Sequence, residues 1–303
     1  MSAALALDIG ASRVRAARVT REGLVGSVLD HAVPSRDDTS ALVLDLQATL
    51  RDLRPAPPTD SAIGVAFPAF LDERGRVAWC LNLPALDGVD LRSALAPAAQ
   101  GLRTTPVTDL VAAAIAESAL GSGRGTSRFL CISIGTGVNA AMVVDGTPLE
   151  TALGSLGDAG HVSVDPLGPE CACGGRGCVE TLASGLALAR DGATLGLPSA
   201  EAVCAAAREG HAEARELVER AGEALGRAIA AWSALLWPHR VAVAGGLSAA
   251  FDLLEQPIRR ELRRVGASYI IDRVEILPAA LGGRAGVVGA GLMALAANEK
   301  EKT

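Results

Sequence analysis

Three of the chain's six cysteines fall within one eight-residue stretch, Cys171-Ala-Cys173-Gly-Gly-Arg-Gly-Cys178, and His161 precedes the first of them by ten residues. One imidazole and three thiolates form a closed four-ligand set, the usual composition of a structural zinc site. The glycines at 174, 175 and 177 let the backbone curl so that Cys173 and Cys178 face one ion. The loop has little apolar content of its own, and metal binding supplies the free energy that orders such a segment. The competing reading is a loop of reduced thiols with one adventitious disulfide. Four protein ligands leave no open position for water, so the set does not suit a catalytic metal.

The rest of the composition sets the background. The chain has 303 residues, half of them apolar, with four Phe, three Trp and one Tyr, so its core rests on Ala, Val and Leu. That length suits one large domain or two lobes. The net charge of −6 gives no overall attraction to nucleic acid. The opening MSAALALDIG lacks the basic and apolar regions of a signal peptide, and no apolar run is long enough to span a bilayer. A cytoplasmic location is expected, with no nucleic-acid or membrane partner, and cysteines there serve as thiols or metal ligands more than as disulfides.

Two similar units stand about 125 residues apart. Ala4–Ile9, a Gly10-Ala11-Ser12 turn and Val14–Val19 read as a β-hairpin, and so do Phe129–Ile134, Gly135-Thr136-Gly137 and Ala140–Val144. The recurrence suggests an internal duplication with two lobes of related topology. Between the hairpins lie a Pro-rich stretch (Pro55–Asp60), a strand (Ala62–Phe67) and a helix (Leu110–Leu120) after Asp109. Beyond them come Ala-rich helical segments from Gly185 to Leu236, a strand ending in Gly245-Gly246 and a helix near Leu253–Val265. A strand at Arg273–Leu277 and a helix over Ala285–Asn298 close the pattern. Strands alternating with helices predict an α/β protein.

Gly160-His161, followed ten residues later by Cys-x-Cys-Gly-x-x-Gly-Cys-x-Glu, resembles the signature of the ROK family of bacterial sugar kinases and sugar-responsive regulators. The likeness extends to Asp8-Ile9-Gly10, Asn82-Leu83-Pro84, Asp109, Gly135-Thr136-Gly137, Gly245-Gly246 and Ala285-Gly286-Val287-Val288-Gly289-Ala290. It implies the actin-like ATPase (ribonuclease H-like) fold, with two α/β lobes around a cleft. The expected division is 1–112 for the first lobe, completed by the helix within 285–303, and 113–284 for the second, which carries the zinc loop 157–185.

The resemblance also implies roles. ATP and its phosphates would meet Asp8, Gly10, Ser12, Arg13, Gly135, Thr136, Gly137, Gly245 and Gly246, with Asp8 holding Mg²⁺ through water. Small turn residues let backbone N–H groups approach phosphate. Asn82, Thr108, Asp109, Asp158, His161 and Glu180 would meet the sugar, and Asp109 would be the catalytic base. At or near a helix N-cap, Asp109 is expected to be ionised and a weak base; capping alone is its other reading. The metal set remains His161, Cys171, Cys173 and Cys178. Several positions depart from the family pattern: Thr108 and Val111 stand where Asn is usual, Asp158 where Glu is usual, and Asn139, Ala140 and Ala141 where glycines follow the second turn. The added Cβ atoms of Ala11, Asn139 and Ala140 are expected to crowd the phosphates.

The expected activity is ATP-dependent phosphorylation of a hexose or amino sugar, with structural Zn²⁺ and with Mg²⁺ accompanying ATP. The alternative is a catalytically impaired sugar-binding sensor. The family's repressors carry a helix-turn-helix domain ahead of the Asp-x-Gly turn, whereas seven residues precede Asp8 here, which favours the kinase-like branch. Family analogy suggests a homodimer or homotetramer.

Overall fold

The computed structural model describes residues 2–54, 60–78, 80, 82–151 and 156–300. Most of the Pro-rich stretch, Pro55 to Thr59, lies outside them. The chain divides into two compact units, residues 1–124 with 146–157 and 283–303, and residues 125–145 with 158–282. The first unit takes in the whole helix that follows Thr108, inside which the sequence reading placed its boundary.

In the first unit, β1 (Ala3–Ile9), β2 (Arg13–Thr20), β3 (Gly23–Ala32), β4 (Asp60–Phe67) and β5 (Thr104–Thr108) form one sheet in the order β3-β2-β1-β4-β5. The β1–β2 and β2–β3 pairs are antiparallel, whereas β1–β4 and β4–β5 are parallel. Strand periodicity sorts β1 between two faces. Leu5, Leu7 and Ile9 enter a large core with Leu42, Leu46 and Leu50 of α1 (Thr39–Asp52) and Leu91 and Leu95 of α2 (Leu91–Ala99). Ala4, Ala6 and Asp8 alternate with them.

On the opposite face Ala4 and Ala62 pack against Ala294 and Leu295 of the C-terminal helix, Ala285–Lys300. Small residues let that helix lie close to the sheet: a Cβ on Gly64 would overlap the carbonyl of Ala290. Helix α3 (Asp109–Leu120) packs on the same helix and follows β5 directly. The anticipated strand 62–67 and the helices 110–120 and 285–298 are thus present. Strand β3 and helices α1 and α2 were not foreseen. Much of β3 is exposed, so it carries no clean apolar alternation.

In the second unit, β6 (Arg128–Ile134) and β7 (Val138–Val144) form an antiparallel hairpin. Strand Arg240–Ala244 runs parallel to β6, and Glu275–Pro278 runs parallel to it in turn. The order from hairpin partner outward matches β2-β1-β4-β5, with the same strand senses, which supports the duplication read from the two hairpins. The Ala-rich region is several helices: α4 (Val179–Ala183), α5 (Gly185–Gly192), α6 (Ala200–Arg208) and α7 (Ala212–Leu236). Ser184 and Ser199 cap α5 and α6 by accepting the N–H groups of Ala187 and Ala202. Helix α8 (Phe251–Val265) packs along α7. There the buried Glu261 accepts from Arg227 Nε at 2.6 Å and from Arg264 Nε at 2.7 Å.

Candidate active site and metal centre

Asp8 ends the inward run of β1 on the face covered by the C-terminal helix. A Cβ on Gly286 would stand 2.6 Å from its carboxylate, so glycine at the start of that helix makes room for it. Burial, reinforced by the charge of Asp109, pushes the Asp8 carboxyl up to about 7; Arg15 opposes this and Asp30 adds to it. Arg15 Nη1 lies 3.8 Å from Asp8 Oδ2, and Arg15 Nε lies 3.4 Å from Asp30 Oδ2. A crowded carboxylate with two acidic neighbours, 3.8 Å from one guanidinium nitrogen, leaves Asp8 with unmet demand for positive charge. One carboxylate assisted by phosphate oxygens and water is the donor set that suits Mg²⁺. The residues therefore fit the metal.

The Gly10 N–H donates to the Arg13 carbonyl at 2.8 Å, closing the first turn, and the Ser12 carbonyl accepts from Val33 N–H at 3.0 Å. Arg13 lies beside this turn, and its Nε donates to Asp30 Oδ1 at 2.6 Å.

Asp109 is the first residue of α3, with Thr108 at the N-cap, so it does not itself cap the helix. It keeps accessible surface, but protein crowds it enough that desolvation pushes its carboxyl up to about 6, against the pull of the Leu110 N–H at 2.7 Å. Crowding thus works against the helix terminus, which on its own favours the ionised form. Thr108 and Val111 are buried, and Asn82 is exposed with its carbonyl taken by Arg36 at 2.6 Å.

In the second unit Gly135, Thr136 and Gly137 turn β6 into β7, with the Gly135 N–H donating to the Gly137 carbonyl at 2.9 Å. Glu180, on the first turn of α4, accepts the Val138 N–H at 3.0 Å and lies against the glycines at 137 and 160. Asn139 is part of β7, opposite Ser133, and its Oδ1 accepts the Ala159 N–H at 3.1 Å. Ala140 and Ala141 are buried in the same strand. Asn139, Ala140 and Ala141 therefore belong to β7, which starts at Val138, and not to the turn itself. Gly245 ends strand Arg240–Ala244 with a φ of 81°, and its carbonyl accepts the Ser248 hydroxyl at 2.7 Å.

The ligand-type atoms of His161, Cys171, Cys173 and Cys178 lie within 4.8 Å of one another. Cys173 Sγ and Cys178 Sγ are 3.7 Å apart, and His161 Nδ1 is 3.5 Å from Cys171 Sγ. Two thiolates about 2.3 Å from a tetrahedral ion stand about 3.8 Å apart, and a thiolate and an imidazole nitrogen about 3.5 Å apart. The cluster therefore fits a tetrahedral ion. Burial, with the neighbouring thiols, pushes Cys178 up to about 12, so gathering these donors as thiolates calls for a cation. Gly177 has a φ of 65° where a Cβ would overlap the Asp165 carbonyl, and this bend returns the chain to Cys178. Nε2, the other ring nitrogen of His161, lies 3.5 Å from Asp158 Oδ2, a carboxylate–histidine pair that orients the ring.

The ROK family model matches residues 4–297. The chain belongs to the ROK family. A glucokinase of Halalkalibacterium halodurans is 30% identical over 94% of this chain and 92% of its own length. An N-acetylmannosamine kinase of Citrobacter koseri is 33% identical over 96% and 98%. The crystal structure of a ROK family glucokinase from Streptomyces griseus, in complex with glucose and AMPPNP, superposes with a TM-score of 0.79 at 27% identity, covering 97% of this chain and all of that one. The fold is the actin-like ATPase fold of ROK sugar kinases. Arg15 and Asp30 escaped the sequence reading, although the hairpin register that pairs Ile9 with Val14 already sets Arg15 opposite Asp8.

Proposed function

We propose that this ROK-family protein is an ATP-dependent sugar kinase, transferring the γ-phosphoryl group of Mg·ATP to a hydroxyl of a hexose or amino sugar. The observation that carries the reading is the Asp8–Asp109 pair, a metal-suited carboxylate within electrostatic reach of a carboxylate at α3 whose raised pKa suits a base. The glucokinase and N-acetylmannosamine kinase relatives support the reaction class and the breadth of the sugar assignment.

In this reading Asp109 orients the acceptor hydroxyl and takes its proton as transfer proceeds. Gly10, Ser12, Gly135, Thr136 and Gly137 offer turn N–H groups to phosphate, and Gly245 and Gly246 lie against the adenosine. Asp8 would hold magnesium, which neutralises charge on the phosphates. Asn82, Thr108, Asp158, His161 and Glu180 hold the sugar hydroxyls. His161, Cys171, Cys173 and Cys178 bind one structural zinc, which fixes the loop carrying Asp158 and His161. No helix among the described residues is long and apolar enough to cross a membrane, in keeping with action in the cytoplasm.

The test is ADP release against glucose, mannose, fructose, N-acetylmannosamine and N-acetylglucosamine, with Asp109→Asn as control. Turnover of at least one sugar, lost in the variant, supports the kinase. The buried Val111 offers no polar group where Asn is usual and favours a second reading, a sugar-binding sensor. Sugar binding without turnover across the panel would select it.

A further inference from the structure

Asp8, Arg15 and Asp30 form a row across three adjacent strands. Asp8 is the register partner of Arg15 in the β1–β2 pair, and Arg15 is the partner of Asp30 in the β2–β3 pair. Directly opposed residues of antiparallel strands project from the same face with their Cβ atoms about 5 Å apart. The guanidinium of Arg15 therefore stands between two carboxylates by virtue of register. Arg13 Nε donates to Asp30 Oδ1, which leaves Oδ2 facing Arg15 Nε at 3.4 Å. Arg15 is thus held from the β3 side with Nη1 directed to Asp8, and a Cβ on Gly283 would lie 3.8 Å from its Cζ.

We propose that Arg15 is a positioning residue that keeps the Asp8 site closed to a bare divalent cation and open to one arriving on nucleotide phosphates. The inference rests on the nucleotide reading of Asp8 given above. A bare dication reaching Asp8 also meets the fixed charge of Arg15, which stands 3.8 Å from the same carboxylate, so repulsion offsets part of the attraction. A metal-bound nucleotide is a net anion, and the same guanidinium attracts its phosphates. Arg15 thereby couples metal entry to nucleotide entry without touching the sugar. A unit charge about 6 Å from a dication in a wet site changes its affinity by about tenfold.

The experiment titrates Mn²⁺ into nucleotide-free protein by electron paramagnetic resonance and, separately, AMPPNP into divalent-free protein by calorimetry. Wild type, Arg15→Gln, Arg15→Met and the charge-retaining Arg15→Lys are compared, each with a melting curve. The neutral variants should bind Mn²⁺ about tenfold tighter and metal-free AMPPNP about tenfold more weakly, with Arg15→Lys close to wild type. Having two neutral side chains keeps the comparison available if one does not fold. Unchanged affinities in the neutral variants, or weaker Mn²⁺ binding, would overturn the proposal. A wild type that binds AMPPNP neither alone nor, in the same calorimetry, with Mn²⁺ would instead overturn the nucleotide reading and this inference with it, an outcome distinct from unchanged variants.

Discussion

Glu180 accepts the backbone N–H of Val138 at 3.0 Å, tying the first turn of α4 to the start of β7 across 42 residues of chain. The same carboxylate lies beside Gly137 and Gly160, so the exit of the metal loop, the phosphate-type turn and the His161 turn share one anchor. Glu180→Gln should keep the fold and weaken the sugar KM by about tenfold, since a charge-assisted hydrogen bond contributes roughly twice a neutral one. Initial-rate kinetics check this, and an unchanged KM would remove Glu180 from the sugar side.

Asp109→Asn should lower kcat by two to four orders of magnitude, the range of general base contributions, with little change in sugar KM. Because the folded Asp109 carboxyl is raised to about 6, it loses its base form as pH falls through that value. The kcat–pH profile should therefore show an acid limb near 6, well above an ordinary carboxylate, and an unbent profile down to pH 5 would contradict the assignment.

Metal analysis of purified protein should find about one zinc per chain. Cys178→Ser, or stripping with a strong chelator, should abolish it and speed amide exchange in 161–178, because the loop's order derives from the ion. Mass spectrometry of the exchanged peptides provides the measurement, and a stripped protein with unchanged protection in that segment would refute the structural role.

Glu261 supplies a pH test of stability. Its hydrogen bonds to Arg264 and Arg227 hold its carboxyl down at about 2, while the unfolded value is near 4.5. The folded state thus binds fewer protons than the unfolded one between those values. The stabilisation is fully present above about pH 4.5 and is lost as pH falls toward 2. Glu261→Gln should destabilise by about 3 kcal/mol at pH 7 and much less near pH 3, measured by denaturant melts.

Gly289→Ala should destabilise the first unit by about 1–3 kcal/mol, since its Cβ would overlap the Ala112 carbonyl at the crossing of α3 and the C-terminal helix. Thermal melts of the variant check this against Ala290→Gly on the same helix.

Features coded by short spacing were legible in advance. The metal cluster and both hairpins can be read over 8 to 20 residues, and the matching strand orders follow from the hairpins. What escaped depended on longer-range packing. Strand β3 is an exposed edge without alternation, so Asp30, and with it the pairing of Arg13 to its carboxylate, was invisible. Asn139 looked like bulk beside a glycine turn; its role as acceptor for Ala159 depends on β7 starting at Val138, one register step that spacing does not reveal. The crowding that raises Asp109 was not legible either, because a helix terminus is a local feature and desolvation is not.

The C-terminal helix covers the outer faces of Ala4 and Ala62 and walls in Asp8. During synthesis, therefore, the strands made first have no partner for that face until residue 300 has been added, whereas most of the second unit is a continuous stretch, 158–282, that is finished earlier. The unit whose strands are made first is thus the last to be completed. Chains truncated after residue 284 and released should show protease resistance in 158–282 while β1 and β4 are still cut.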